Sequence, residues 1–287
     1  MAPNGILVID KPAGMTSHDV VARVRKIFQT KKVGHAGTLD PDATGLLILG
    51  LGNATRLLSF AQDGPKRYVA TASFGATTTT QDASGDVVET KPVEIDRNGV
   101  ETAAQAFVGD IEQIPPMVSA VKVGGERLYK KARRGEEIER KPRPVAIHSL
   151  SVTSFSEDPP EAVFDVTCSP GTYIRTLVHD IGARLGCGAH LKILRRIEAS
   201  GFCEDDARSL DEVSVTDLRP PIEILRALPK VDIDPEARSL VSDGRPLPLP
   251  EAELDKGDLV ALVSDGALVA IYKKRGPQLV AEKVLPS

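Results

Sequence analysis

Twelve consecutive residues, Gly34-His35-Ala36-Gly37-Thr38-Leu39-Asp40-Pro41-Asp42-Ala43-Thr44-Gly45, put two carboxylates, an imidazole and two hydroxyls among three glycines and a proline. Glycine reaches positive φ without a steric penalty, while Pro41 fixes its own φ and pushes Asp40 towards extended backbone. A loop so constrained can hold one carboxylate in one place. That is what a carboxylate needs in order to act as nucleophile, acid or base, because the catalytic gain comes from orientation. For a lone Asp the default would be a turn cap, with His35 a satisfied structural partner. The density of special residues across the whole segment argues for chemistry instead.

The flanking elements must position that loop. Gly5 to Asp10 reads as a short buried strand that Lys11-Pro12-Ala13-Gly14 cannot continue. Thr16 and Asp19 have capping-box spacing, and Val20, Val21, Val24, Ile27 and Phe28 recur on one helical face. Residues 29–45 then form a long ordered loop that enters a second buried strand, Leu46 to Leu51. Further along, the pattern predicts a short helix to Phe60, a half-buried strand from Arg67 to Phe74, a loop over 75–86 and a helix from Val100 to Val108. Met117 to Val123 reads as a strand ended by the hairpin signal Gly124-Gly125. Strands near Val145–Phe155 and Ala162–Cys168 precede a helix from about Thr172 to Leu185. With no regular βαβ period, the expected class is α+β, with a central mixed, mostly antiparallel sheet. After about residue 230, short β-prone runs at Leu259–Val263 and Leu268–Tyr272 suggest a small C-terminal β-rich module.

The 287 residues suffice for one large core plus a small one, since single cores rarely exceed roughly 250–300 residues. Hydrophobic residues at 41% and charged residues at 26% exclude disordered, fibrous and membrane classes. The start, Met1-Ala2-Pro3-Asn4-Gly5, is no basic-then-apolar leader, and no apolar run nears the ~18 residues of a membrane span, which predicts a cytoplasmic location. Cys168, Cys187 and Cys203 are odd in number and lack ligand spacing, so neither a disulfide framework nor a zinc site is expected. The net charge of -4 hides an asymmetry: Lys122 to Arg143 holds nine Lys/Arg against four Glu, and Glu204 to Asp258 fifteen Asp/Glu against seven Lys/Arg. The basic stretch could follow a phosphate backbone by releasing its counterions, or could simply be a solvated face.

Taken alone, Asp40-x-Asp42-x-Thr44 also fits the aspartyl-phosphate pattern of haloacid-dehalogenase-like phosphatases. Those enzymes need the pair at the end of a hydrophobic parallel strand, which Gly34 to Leu39 is not. The chain more closely resembles the TruB-type tRNA pseudouridine synthases. Gly5-Ile6-Leu7-Val8-Ile9-Asp10-Lys11-Pro12 with Gly14-Met15-Thr16-Ser17 is similar to that family's first motif, and the twelve-residue loop to its catalytic motif. Lys66-Arg67-Tyr68-Val69-Ala70, then Gln113 to Met117 with Ser119 to Val123, Arg127-Leu128-Tyr129 and Ala132 to Gly135, follow in order. Gly171-Thr172-Tyr173-Ile174-Arg175 and Gly188 to Leu191 with Leu194-Arg195-Arg196 complete the series. One departure, Val118 where many members carry Tyr, is read as altered local packing.

The resemblance implies a pseudouridine synthase domain over 1–229, with an RNA-contacting insertion at about 75–145, and a PUA-like module over 230–287. It implies isomerisation of the T-loop uridine conventionally numbered 55 in tRNA, with the base flipped into a pocket and no metal or organic cofactor. Asp40 is then the catalytic carboxylate and Arg175 the cation that keeps it ionised. Tyr68 stacks on the target base, Tyr173 and Leu194 form pocket walls, His35 contacts the rearranged loop, and Lys11 and Pro12 support the catalytic loop. Backbone contacts fall to Lys31, Lys32, Lys122, Arg127, Lys130, Arg133, Arg134, Arg195 and Arg196. The expected partner is the tRNA T stem-loop, bound by a monomer without a membrane or an obligate protein partner. The alternative is a non-catalytic tRNA-folding chaperone that uses the same surface.

Overall fold

The apolar run at the N-terminus becomes β1 (Gly5–Lys11), whose side chains are buried at six of seven positions because both faces of the strand are covered. A computed structural model describes residues 2–119, 122–123, 125–127, 134, 136, 138–226, 228–249 and 254–285. Thr16 and Asp19 do form a capping box at the start of α1 (Ser17–Ile27). Val20, Val21 and Val24 of this helix pack on Leu7, Ile9, Leu47 and Leu49. Ile27, in the last turn, is 40% exposed and drops out of that face.

The segment expected as one long loop contains β2 (Val33–Ala36), which pairs with β3 (Thr44–Leu51), so residues 29–32 and 37–43 remain irregular. After α2 (Leu58–Gln62) comes β4 (Lys66–Phe74), alternately buried and half-buried along its length. The segment 75–86 is not all loop. It includes β5 (Ala76–Thr78), paired with β6 (Val87–Thr90). Helix α3 runs Arg97–Gln105, three residues earlier than its apolar pattern suggests, because the Asp96 carboxylate caps it by accepting from Gly99 N at 2.7 Å.

Beyond β7 (Gly109–Gln113), the part of the expected strand Met117 to Val123 that precedes residue 120 is not strand among the described residues. Pro115 and Pro116 lack the N–H groups a ladder needs, and Met117–Ser119 turns back on itself, Ser119 N donating to Met117 O at 3.1 Å. Among the described residues there, β8 (Lys122–Val123) pairs with β9 (Glu126–Arg127). Strands β10 (Arg143–Glu157) and β11 (Pro160–Cys168), helix α4 (Ile174–Leu185) and strand β12 (Ala189–Ala199) follow. With β13 (Phe202–Cys203) and β14 (Arg208–Ser209) they complete a ten-stranded sheet in the order β14-β1-β3-β12-β4-β11-β10-β7, β13 lying beside β12 and β2 beside β3. Only the β1–β14 and β3–β12 pairs are parallel, so the sheet is mixed and mostly antiparallel.

A second sheet is built from β15 (Lys230–Asp232), β16 (Leu247–Pro248), β17 (Leu259–Ser264), β18 (Ala267–Arg275) and β19 (Gln278–Val284), with α5 (Pro235–Ser242) against it. Ala261 and Ile271 of this sheet share an apolar cluster with Ile6, Val8, Ile48 and Leu57, which docks it on the back of β1 and β3. The chain is thus α+β, with a C-terminal β-rich unit. Among the described residues no helix is long and apolar enough to cross a membrane.

Candidate active site

The loop before β3 is held from several sides. Ser17 Oγ, buried in the first turn of α1, accepts from Leu39 N at 2.9 Å and donates to Leu39 O at 3.2 Å. Lys11 Nζ, fully buried at the end of β1, donates to the carbonyls of Pro12 (2.9 Å), Met15 (2.6 Å) and Pro41 (2.9 Å). Burial lowers its pKa, with Asp42 and Asp40 acting in the opposite direction. Ala43 N closes the turn on Asp40 O at 3.2 Å. Gly45 has φ +96, and a Cβ there would meet the Arg196 backbone, so only glycine lets β3 start beside β12.

Asp40 therefore projects from a rigid turn into a cavity of about 440 Å³ lined also by His35, Tyr68, Tyr173, Arg175 and Leu194. Its Oδ2 lies 2.8 Å from Arg175 Nη2, and Arg175 Nη1 lies 3.2 Å from Asp82 Oδ2. The guanidinium is 5% exposed, whereas 45% of the Asp40 side chain is reachable by water. The cleft walls nonetheless displace bulk solvent, and this burial raises the Asp40 pKa; Arg175 pulls it down and Asp82 pushes it up. A carboxylate in this setting is under-solvated and poised to react with an electrophilic carbon or to take a proton.

Arg175 owes its place to the start of α4. Tyr173 has no side-chain cap there, and the buried Gln113 amide clamps it at two points, accepting from Tyr173 N at 2.9 Å and donating to Tyr173 O at 3.2 Å. Tyr68 is buried on β4, paired in register with Val166 on one side and Arg196 on the other. His35 stands edge-on to His18, ring centroids 5.3 Å apart, and burial lowers its pKa, so the ring is neutral at pH 7.

Pro12 is exposed and contributes only its carbonyl to Lys11. Arg196 corrects an expectation. At 1% exposure it is no surface phosphate contact, and its Nε and Nη2 donate to Leu46 O (2.7 Å) and Gly37 O (3.1 Å). Arg195 is half-buried, bidentate to Asp10 at 3.0 and 2.9 Å and paired with Glu204 at 2.6 Å. Lys31 and Lys32 are exposed, Lys32 donating to Asn53 Oδ1 at 2.8 Å. Arg134 pairs with Glu136 at 2.6 Å. Lys130 and Arg133 lie outside the described residues, as do the side chains of Lys122 and Arg127. Val118 is 38% exposed, so its substitution for Tyr does not alter core packing.

Three residues of the site escaped the sequence reading: Asp82, Gln113 and Lys66. Asp82 sat in what looked like plain loop, although its neighbours, four threonines, Ser84 and Gly85, are as dense in special residues as the Asp40 loop. Lys66 is 7% exposed and donates to Gln62 O and Gly64 O, both at 2.7 Å. Burial, and then Arg196, lowers its pKa to about 8. Between pH 8 and the ordinary value of 10.5 the unfolded chain holds a proton that the folded chain has released, so this group makes stability rise with pH across that window. Relative to Lys66→Met, the wild type is expected to gain up to about 3 kcal/mol from pH 7.5 to 10.5 in urea unfolding. The comparison with the variant is needed because Cys168, pushed up to about 11 by burial, works in the opposite direction. Parallel pH curves for the two proteins would reject the assignment.

The family model described as TruB family pseudouridylate synthase (N terminal domain) matches residues 25–174, and the tRNA pseudouridylate synthase B C-terminal domain matches 175–219. A tRNA pseudouridine synthase B of Syntrophotalea carbinolica is 44% identical over 283 residues, covering 93% of this chain and 91% of the relative. One of Streptococcus pneumoniae is 45% identical over 294 residues, covering 98% and 99%. Among solved structures, a chain from the crystal structure of a Cbf5-Nop10-Gar1 complex superposes with TM-score 0.77 at 29% identity, over 99% of this chain and 85% of that one. A chain from an H/ACA RNP bound to a substrate RNA containing 2'-deoxyuridine gives 0.76 at 27%, over 100% and 86%. Matched along nearly its full length by relatives of that name, the chain belongs to the TruB family of pseudouridylate synthases.

Proposed function

We propose that this protein converts uridine to pseudouridine in tRNA, and that the target is the T-loop uridine conventionally numbered 55. The observation that carries the reading is the Asp40–Arg175 pair, 2.8 Å apart, in a cleft walled by Tyr68, Tyr173 and Leu194. The reaction breaks the bond from ribose C1′ to N1 of the base, turns the base, and joins C1′ to C5, whose hydrogen leaves as a proton while N1 takes one up. Atoms are conserved and no electrons are exchanged with another molecule. The protein must therefore activate one bond and keep the detached base from escaping.

Asp40 supplies the activating carboxylate, and Arg175 holds it ionised in a site that would otherwise protonate it. Tyr68 offers a flat face against which a uracil ring can stack, and Tyr173 and Leu194 limit its rotation and exclude water. Such a pocket receives the base only after it has left the stacked T loop, which costs a few kcal/mol drawn from binding elsewhere. His35 at the cavity edge, the exposed Lys31 and Lys32, and the basic stretch from Lys122 to Arg143 are the surfaces proposed to provide it.

The test is tritium release from unmodified tRNA labelled with [5-³H]uridine, in the presence of EDTA, followed by mapping of the modified position. Release at one T-loop position is expected. Tight tRNA binding without release would sink the catalytic reading and leave an RNA-folding factor.

A further inference from the structure

We propose that Thr80 and Ser84 are positioning residues for the isomerisation: they lock Asp82 so that Arg175 is divided between Asp82 and Asp40. The inference rests on the pseudouridine synthase reading and deepens it. One oxygen of Asp82, Oδ1, accepts from Thr80 Oγ1 at 2.6 Å, Ser84 Oγ at 2.6 Å and Ser84 N at 3.1 Å. That oxygen is saturated. Only Oδ2 is left for Arg175, and a single nitrogen, Nη1, takes it at 3.2 Å, which leaves Nη2 for Asp40.

At two other places in the chain an arginine and an aspartate pair through two nitrogens. Arg67 grips Asp165 through two parallel hydrogen bonds of 2.9 and 2.8 Å, and Arg195 grips Asp10 through two of 3.0 and 2.9 Å. Asp165 and Asp10 both lie on strands, and among the described residues neither accepts from a hydroxyl. The two-point fork is the favoured geometry for a guanidinium and a carboxylate. Without the hydroxyl lock, Asp82 could swing to take both nitrogens of Arg175 and draw it away from Asp40.

The loop carrying the lock is itself docked on both sides of Arg175. Leu191 N donates to Gln81 O at 3.0 Å and Ala83 N to Leu191 O at 2.9 Å, which ties the loop to β12. Gln81 has φ +63, a left-handed conformation uncommon for a residue other than glycine, and its Oε1 accepts from Thr176 Oγ1, the neighbour of Arg175, at 2.8 Å. Thr78 Oγ1 donates to Asp82 O at 2.6 Å, and a Cβ on Gly85 would collide with Thr80. Thr80, Asp82 and Ser84 do not line the cavity, so their influence on the reaction passes through Arg175.

The test compares kcat, KM for tRNA and the pH profile of kcat by tritium release for wild type, Thr80→Val, Ser84→Ala, the double variant and Thr80→Ser. The charged groups facing Asp40 are Arg175, Asp82, Lys11 and Asp42, of which Arg175 is the strongest attraction. Its withdrawal moves the acid limb of kcat to higher pH. The double variant is expected to lose at least about tenfold in kcat with KM within about twofold of wild type. Ser84→Ala alone, at an exposed site where folding is not at risk, should shift the limb in the same direction by less. Thr80→Ser, which keeps the hydroxyl, should restore both kcat and the limb.

Wild-type kcat and an unmoved limb in the double variant would overturn the proposal. So would a lower kcat with an unmoved limb that Thr80→Ser does not rescue, which is the mark of a loop damaged only structurally. A raised KM at unchanged kcat would assign the hydroxyls to RNA contact instead. Failure of the underlying activity is separate, because then the wild type releases no tritium.

Discussion

Asp40→Asn is expected to lower kcat for pseudouridine formation by at least about 10⁴-fold, or about 5 kcal/mol of transition-state stabilisation. The dissociation constant for tRNA should stay within about threefold, because RNA affinity comes mainly from contacts to the backbone. The amide keeps the shape of the carboxylate, its oxygen can still accept from Arg175, and Arg175 keeps Asp82 as its ionic partner. The fold should therefore survive and become slightly more stable. Burial raises the pKa of Asp40, so its contribution to stability falls as pH rises from the ordinary carboxylate value of 3.8 through the raised one. At neutral pH the full penalty is present, and the neutral amide removes it, as is common at sites that trade stability for activity. Single-turnover tritium release, filter binding and thermal melting of the two proteins together check this. Near-normal turnover would show that Asp40 is not the reacting group. The same raised pKa sets a pH dependence in the wild type: the acid limb of kcat should lie above pH 3.8.

Arg175→Ala is expected to reduce kcat by at least about 10³-fold and to destabilise the fold by about 3–5 kcal/mol, the usual cost of removing one member of a buried ion pair. The guanidinium is 5% exposed between two carboxylates, and without it Asp40 and Asp82 face each other uncompensated. Asp40 then takes up a proton at higher pH, and whatever activity remains should show its acid limb moved upward. Arg175→Lys should restore much of the stability and little of the rate. One ammonium carries the charge but cannot aim two separate nitrogens at two carboxylates. Equal rates for Arg175→Lys and wild type would mean that charge alone suffices and that the shared fork is incidental.

Much of this site could be read along the chain, because its rigid parts are local. The glycines and Pro41 around Asp40 and the capping box at Thr16 and Asp19 act over a few residues, and each is present in the fold. Strand β12 failed to show itself because its side-chain pattern is broken by a partner far away in the chain. Strand β12 has register shifts against β4 between Leu191 and Ile193 and between Arg196 and Glu198. Each shift reverses which face the following residues take, since side chains alternate with period two. Ile193 is consequently 56% exposed and Arg196 buried, the opposite of what residue type suggests, and one expected phosphate contact, Arg196, became an internal tie.

The sequence by itself determined which carboxylate is held rigidly, the α+β class and the family to which the chain belongs, because loop chemistry and motif order are properties of the chain. Only the tertiary structure decided which charges meet. Arg175 reaches Asp82 across 93 positions and Arg196 reaches Leu46 across 150, separations at which no local propensity carries information. Whether an arginine faces solvent, a carbonyl or a carboxylate depends on sheet register and helix docking, and the burial that raises Asp40 exists only once β3, β4, β12 and α4 have closed around it.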